Sequence, residues 1–116
     1  MSYSTPPSPP GVPEVTVDQL ATASAAGAQV IDVREPDEYA SGHVAGSVLI
    51  PMAQVVARSG ELTRDGPAYV VCASGQRSGK AAQWYRSQGI DARNLAGGMK
   101  AWIAQGQPVV EGPDSI

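Results

Sequence analysis

Short apolar runs alternate along the chain with more polar segments that carry helix signals. Four of these runs, at residues 14–16, 29–33, 48–50 and 68–71, are rich in β-branched residues and short, as buried strands are. A fifth segment of strand length lies at 91–95. The alternation predicts an α/β fold with a parallel sheet and helices on both faces, where ligands bind beyond the carboxyl ends of the strands.

Capping residues predict helices between the runs. Thr16 and Gln19 have the spacing of a capping box, which predicts a helix through Ala26, and Gly27 is suited to end it. Further helices are predicted to open at Pro36, to run from Pro51 to about residue 57, and to span residues 79–88 and 99–105.

The two ends of the chain differ in composition from the rest. Five of the first thirteen residues are proline, and this segment has few apolar residues to bury. We therefore expect a flexible tail at residues 1–13, one domain at 14–110 and a C-terminal tail at 111–116.

Length, net charge and the distribution of apolar residues indicate which kinds of partner and location to expect. The chain has 116 residues, which suits one domain, and its net charge of −3 does not favour nucleic acid or an anionic membrane. No apolar run approaches the roughly 20 residues of a membrane span, and the N-terminus lacks the pattern of a secretion signal. A cytoplasmic location is the expectation.

Cys72, the single cysteine, lies where a predicted strand ends and a glycine-containing loop leads into a helix. Backbone N–H groups and the helix dipole at such a position favour an anion, and nearby Arg77 adds positive charge. Cys72 is therefore predicted to be a nucleophilic thiolate, and its loop the active site. With one cysteine, no internal disulfide forms, and a modified Cys72 has no resolving partner within the chain.

Three motifs in order resemble the rhodanese family of sulfurtransferases. Asp-Val-Arg-Glu-Pro-Asp-Glu-Tyr at 32–39, with Gly-His-Val-Ala-Gly-Ser at 42–47, is similar to the family's first signature, and Asn-Leu-Ala-Gly-Gly-Met-Lys-Ala-Trp at 94–102 to its C-terminal one. The Cys72 loop lies between them. The resemblance implies a three-layer fold with a five-stranded parallel sheet, and transfer of sulfane sulfur through a cysteine persulfide.

Cys72 is then the catalytic residue, and a cradle for the substrate comes from the residues that follow it: Ala73, Ser74, Gly75, Gln76, Arg77 and Ser78. Their backbone amides can stabilise a sulfur anion, and Gly75 permits a tight turn because glycine adopts positive φ freely. Ser78 either donates to the site or caps the helix. Arg77 either binds a sulfonate oxygen of the donor or ties the loop to a carboxylate.

Other conspicuous residues are interpreted as structural. His43 lies in a glycine-flanked turn and is expected to be a buried structural histidine, and Asp32 with Arg34 is expected to form a bracing ion pair. Trp84, Tyr85 and Trp102 are assigned to packing. One histidine and one cysteine make no metal site, so no cofactor is predicted.

Two other functions stay open at this point. Phosphatases and arsenate reductases of related fold resemble Cys-x5-Arg, whereas four residues separate Cys72 and Arg77 here. A persulfide carrier that serves a partner protein would look the same in sequence. The favoured donor is thiosulfate or a small persulfide, and the favoured acceptors are cyanide, glutathione-like thiols or a thioredoxin-like protein.

Overall fold

The computed structural model describes residues 7–116, and five parallel strands form one sheet within them. The strands are β1 (Glu14–Val15), β2 (Gln29–Asp32), β3 (Val48–Leu49), β4 (Ala68–Val71) and β5 (Ala92–Leu95). The helices are α1 (Val17–Ala25), α2 (Pro36–Ser41), α3 (Gln76–Ser87) and α4 (Gly98–Ala104). Spatial order is β1-β5-β4-β2-β3, so β4 lies at the centre.

Two apolar clusters cover the two faces of the sheet. Ile31 of β2 pairs with Val70 of β4, and both belong to the same buried cluster as Tyr85 of α3. Their neighbours Val30 and Tyr69 point to the other face, into the cluster that α1 and α4 complete. The predicted α/β fold, with a five-stranded parallel sheet between helical layers, is confirmed.

Local signals predicted several boundaries to within a residue. The capping box at Thr16 and Gln19 is present, with Gln19 N–H donating to Thr16 Oγ1 at 3.1 Å and Thr16 N–H donating to Gln19 Oε1 at 2.8 Å. α2 begins at Pro36.

The prediction of a helix from Pro51 to residue 57 is wrong. The chain instead forms a short 3-10 turn at Met52–Gln54, in which Val55 N–H donates to the Met52 carbonyl three residues earlier. Met52 N–H itself donates to the Val33 carbonyl, so tertiary contact sets the start of this segment. Adjacent β-branched residues, Val55 and Val56, also disfavour a regular helix.

α3 begins three residues earlier than predicted. Gly75 has φ +100° and serves as the N-cap, and Gly79 N–H donates to its carbonyl at 3.1 Å. Gln76, Arg77 and Ser78 therefore belong to the first helical turn and not to the loop.

Both predicted tails have contacts in the part of the chain that the structure describes. Val12 packs against the core, and its N–H donates to the Pro9 carbonyl. At the other end, Gly112 N–H donates to the Ala40 carbonyl at 2.8 Å. Residues 1–6 of the predicted N-terminal tail lie outside the described residues. Among residues 7–116, no helix is both long and apolar enough to cross a membrane.

Candidate active site

Cys72 follows the last residue of β4, at the carboxyl edge of the central strand. The residue is buried, with 1% of its surface exposed. Its Sγ accepts the N–H of Gly75 at 3.1 Å, and Ser78 Oγ lies 3.2 Å from the same sulfur. A loop of three residues, Ala73 to Gly75, thus folds the start of α3 back over the thiol.

The N-terminus of α4 holds the backbone carbonyls of this loop. Met99 N–H donates to the Cys72 carbonyl at 2.8 Å, and Lys100 N–H donates to the Ala73 carbonyl at 3.0 Å. Gly98 makes this contact possible, because a Cβ at that position would lie 2.5 Å from the Cys72 carbonyl oxygen. The loop backbone therefore has a defined orientation.

That orientation decides where the loop amides point. The peptides are trans, so each C=O and the following N–H point in opposite directions. Carbonyls bound to α4 turn the N–H groups of Ala73 and Ser74 away from that helix. Within residues 7–116, five amides at the loop and the first turn of α3 have no hydrogen-bond acceptor: those of Ala73, Ser74, Gln76, Arg77 and Ser78. Such a group of N–H donors beside a sulfur can stabilise negative charge.

The side chain of Ser78 does not cap α3, since Gly75 occupies the N-cap position. Its hydroxyl lies 2.6 Å from Asn94 Oδ1 as well as near Cys72 Sγ. Asn94 was not predicted as part of the site. It is a polar residue in the inner strand β5, and a polar side chain on such a strand is the signal that could have identified it.

Arg77 forms a two-pronged ion pair with Glu38 of α2, with Nη1–Oε1 and Nη2–Oε2 distances of 2.9 Å. The guanidinium lowers the pKa of Glu38 to about 2, and the carboxylate raises the pKa of Arg77. Of the two roles considered for Arg77, the structure contains the tie to a carboxylate. Contact between Arg77 and a substrate stays a prediction.

The residues interpreted as structural have the expected kinds of contact. Arg34 Nη2 lies 2.8 Å from Asp32 Oδ2, and the same nitrogen donates to the Gly42 carbonyl. His43 is fully buried and stacks on Tyr39 with ring centroids 3.7 Å apart. Within the described residues no cluster of three or more His, Cys, Asp or Glu side chains could hold a metal ion.

Comparison with known proteins agrees with this architecture. The family model described as "Rhodanese-like domain" matches residues 16–105. The chain is 42% identical over 77 residues to the thiosulfate sulfurtransferase GlpE of Pseudomonas paraeruginosa, covering 66% of this chain and 70% of GlpE. The structure is also similar to the crystal structure of a rhodanese-related protein from Thermoplasma volcanium, with a TM-score of 0.80 and 34% sequence identity. That match covers 84% of this chain and 97% of the other one.

Two Bacillus subtilis proteins are also similar. The uncharacterized protein YqhL is 46% identical over 76 residues, which are 65% of this chain, and YrkF, named for a sulfur-carrier role, is 34% identical over 97 residues, or 81% of it. The chain spans 60% of the length of YqhL and 52% of that of YrkF.

The fold and the family match together define a rhodanese-like domain, with Cys72 directly after the central strand β4. The chain belongs to the rhodanese-like domain family.

Proposed function

We propose that this protein is a thiosulfate sulfurtransferase-like enzyme in which Cys72 carries the transferred sulfur as a persulfide. The supporting observation is the group of five amides without acceptors around the Cys72 loop. Hydrogen bonds from fixed backbone donors stabilise a charged sulfur without a metal, and they need no reorganisation during the reaction.

In the first half-reaction the Cys72 thiolate attacks the outer sulfur of thiosulfate. A sulfur–sulfur bond forms at Sγ, and the bond between the two sulfur atoms of thiosulfate breaks with its electron pair leaving on sulfite. The products are the Cys72 persulfide anion and sulfite, so the total charge of −3 on the reacting groups is unchanged. Two half-reactions joined by a covalent intermediate predict ping-pong kinetics.

In the second half-reaction a thiophilic acceptor removes the outer sulfur. Cyanide attacks it, the sulfur–sulfur bond breaks with its electron pair returning to Cys72 Sγ, and thiocyanate leaves. Since the chain has one cysteine, the acceptor must come from outside. Small thiols or a thioredoxin-like protein are the corresponding biological acceptors.

The donor is less sharply defined by the loop. Ala73 and Ser74 are neutral, and Arg77 is engaged by Glu38, which reduces the attraction for a doubly charged donor. A small persulfide donor therefore fits alongside thiosulfate.

A persulfide carrier is the second candidate function. Cys72 is almost fully buried, which would protect a bound sulfur from water, and YrkF is named for a carrier role. A carrier would accept sulfur from a partner protein much faster than from thiosulfate, so rates with and without protein extract discriminate the two functions.

Intact-mass measurement after incubation with thiosulfate tests the proposal. We expect the wild-type protein to gain one sulfur atom, which cyanide then removes. Cys72→Ser is the matched control, because it lacks the only thiol while changing one atom, and we expect no gain. If the wild type gains no sulfur, the result contradicts the persulfide mechanism. Rapid, Cys72-dependent hydrolysis of a phosphate ester would favour the phosphatase alternative instead.

A further inference from the structure

The side-chain amide of Asn94 joins three parts of the site. Its Nδ2 donates to the Gly75 carbonyl at 2.9 Å and to Ser8 Oγ at 2.8 Å, while its Oδ1 accepts the Ser78 hydroxyl at 2.6 Å. The residue is buried, with 1% exposed. Both amide hydrogens and the amide oxygen are therefore in use.

The orientation of this amide is fixed by its partners. A flip would place Oδ1 against the Gly75 carbonyl, so that two acceptors would face each other. It would also place Nδ2 beside the Ser78 hydroxyl and reverse that hydrogen bond. The Gly75 carbonyl thus determines that Asn94 presents an acceptor to Ser78.

Asn94 helps to orient the first amide of α3 through the Gly75–Gln76 peptide. Because that peptide is trans, a carbonyl held by Asn94 turns the Gln76 N–H in the opposite direction. Gln76 N–H is one of the five amides without an acceptor among residues 7–116. Its direction is therefore set by two donors to the same carbonyl, the Asn94 side chain on β5 and the Gly79 N–H of α3.

Asn94 also determines where the Ser78 proton goes. A hydroxyl has one proton, so Ser78 cannot donate fully to Asn94 Oδ1 and to Cys72 Sγ at once. When Cys72 is a neutral thiol, donation to Asn94 leaves an oxygen lone pair facing the sulfur 3.2 Å away. When the sulfur is charged, rotation of the hydroxyl supplies it with a hydrogen bond.

Ser8 of the N-terminal segment also binds Asn94, although the two residues are 86 positions apart in the sequence. Ser8 Oγ accepts from Asn94 and donates to Glu14 Oε2 at 2.8 Å, and Glu14 lies opposite Asn94 in the pairing of β1 with β5. Pro9 packs nearby on α3, since a Cβ on Gly79 would lie 3.0 Å from Pro9 Cδ.

We propose that Asn94 is a positioning residue for the sulfur site, and that Ser8 of the N-terminal segment holds Asn94 in its working orientation. The proposal rests on the proposed function, because the group being positioned is the Cys72 persulfide cradle. It extends the site beyond the cysteine loop to β5 and to a segment that precedes β1.

Asn94→Asp is the sharpest variant, because it keeps the shape and the acceptor but lacks both N–H donors. With thiosulfate and cyanide we expect kcat per folded molecule to fall by about 10-fold or more while KM changes by less than about 3-fold. A role in stability alone would lower the urea midpoint and leave kcat per folded molecule unchanged. That result would overturn the proposal.

Ser8 is tested in two backgrounds. We expect Ser8→Ala to lower kcat by about 3-fold in the wild type, as loss of one hydrogen bond would, and to have no effect when Asn94 is already Asp. Ser87→Ala on the exposed end of α3 is the control and leaves kcat unchanged. Equal effects of Ser8→Ala in both backgrounds, or none in either, would overturn the part played by Ser8.

Failure of this proposal can be told apart from failure of the proposed function. If the wild type gains no sulfur in the mass measurement, the persulfide function fails and this proposal with it. If the wild type gains sulfur and Asn94→Asp matches it in kcat and KM, only the positioning role fails. If Asn94→Asp does not fold, Ser8→Ala on the N-terminal segment still tests the link.

Discussion

At the scale of single residues, the ion pair between Arg77 and Glu38 links the first turn of α3 to α2. Both side chains are about one-third exposed, with 38% and 32% of their surfaces accessible. Solvent therefore screens the pair, and we assign it about 1 kcal/mol of stability in spite of the large pKa shift of Glu38. The pair also ties the first turn of the helix that carries Ser78 to α2.

Stability from this pair depends on pH with a definite sign. Arg77 lowers the pKa of Glu38 from 4.5 to about 2, so the stabilisation is complete above about pH 4.5 and is lost as pH falls through 2. Urea unfolding at several pH values should show Glu38→Gln less stable than the wild type by about 1 kcal/mol at pH 7. That difference should shrink below pH 4.5. A difference that stays constant down to pH 2 would contradict it.

Two buried tyrosines offer a matched test of hydrogen-bond satisfaction. Tyr39 OH donates to the Ser47 carbonyl, whereas Tyr85 OH has no partner within the described residues and its pKa is raised to about 12 by burial. We expect Tyr85→Phe to raise the free energy of unfolding by about 1 kcal/mol, and Tyr39→Phe to lower it by a similar amount. Urea midpoints measure both, and a destabilised Tyr85→Phe would show that this hydroxyl has a partner.

At the scale of elements, α4 acts on the site through its N-terminus. Its first amides bind the Cys72 and Ala73 carbonyls, and this contact turns the N–H groups of Ala73 and Ser74 away from α4. The helix is thus both a cover for one face of the sheet and a clamp on the active-site loop.

Gly98→Ala tests the clamp, with Gly106→Ala as its control. Both glycines have positive φ, so alanine costs about 1–2 kcal/mol of backbone strain at either position. At Gly98 the new Cβ also meets the Cys72 carbonyl oxygen at 2.5 Å, whereas nothing lies within 4 Å at Gly106. We expect sulfur-transfer rates to fall by about 10-fold or more in Gly98→Ala only. Similar rates in the two variants would mean that the loop tolerates displacement of α4.

At the scale of the whole molecule, the two chain ends meet the domain in different places. The N-terminal segment contacts Asn94 and α3 beside the site, while the C-terminal segment contacts the last turn of α2 and the residues that follow it. His43 and Val110 form an antiparallel bridge with two hydrogen bonds of 2.9 Å, and Gly112 binds the Ala40 carbonyl. The two ends should therefore affect different properties.

Removal of residues 111–116 should lower stability and leave sulfur transfer intact. The loss of the Gly112 to Ala40 hydrogen bond, and of the one between Gly46 N–H and the Ser115 carbonyl, should cost about 1–2 kcal/mol. Urea unfolding and the mass measurement after thiosulfate check the two halves of this prediction. Sulfur uptake that falls along with stability would show that this segment supports the site.

Three features could be predicted from the sequence alone: the fold class, the position of Cys72 at a strand end and the turn at Gly75. These features depend on local signals: apolar runs, capping residues and the φ that glycine permits. Only the folded structure revealed the partner of Arg77, the 3-10 turn after Pro51, and the hydrogen bonds that link Ser8, Asn94 and Ser78. Those contacts join residues distant along the chain, and their geometry follows from the sheet order, which no local pattern encodes.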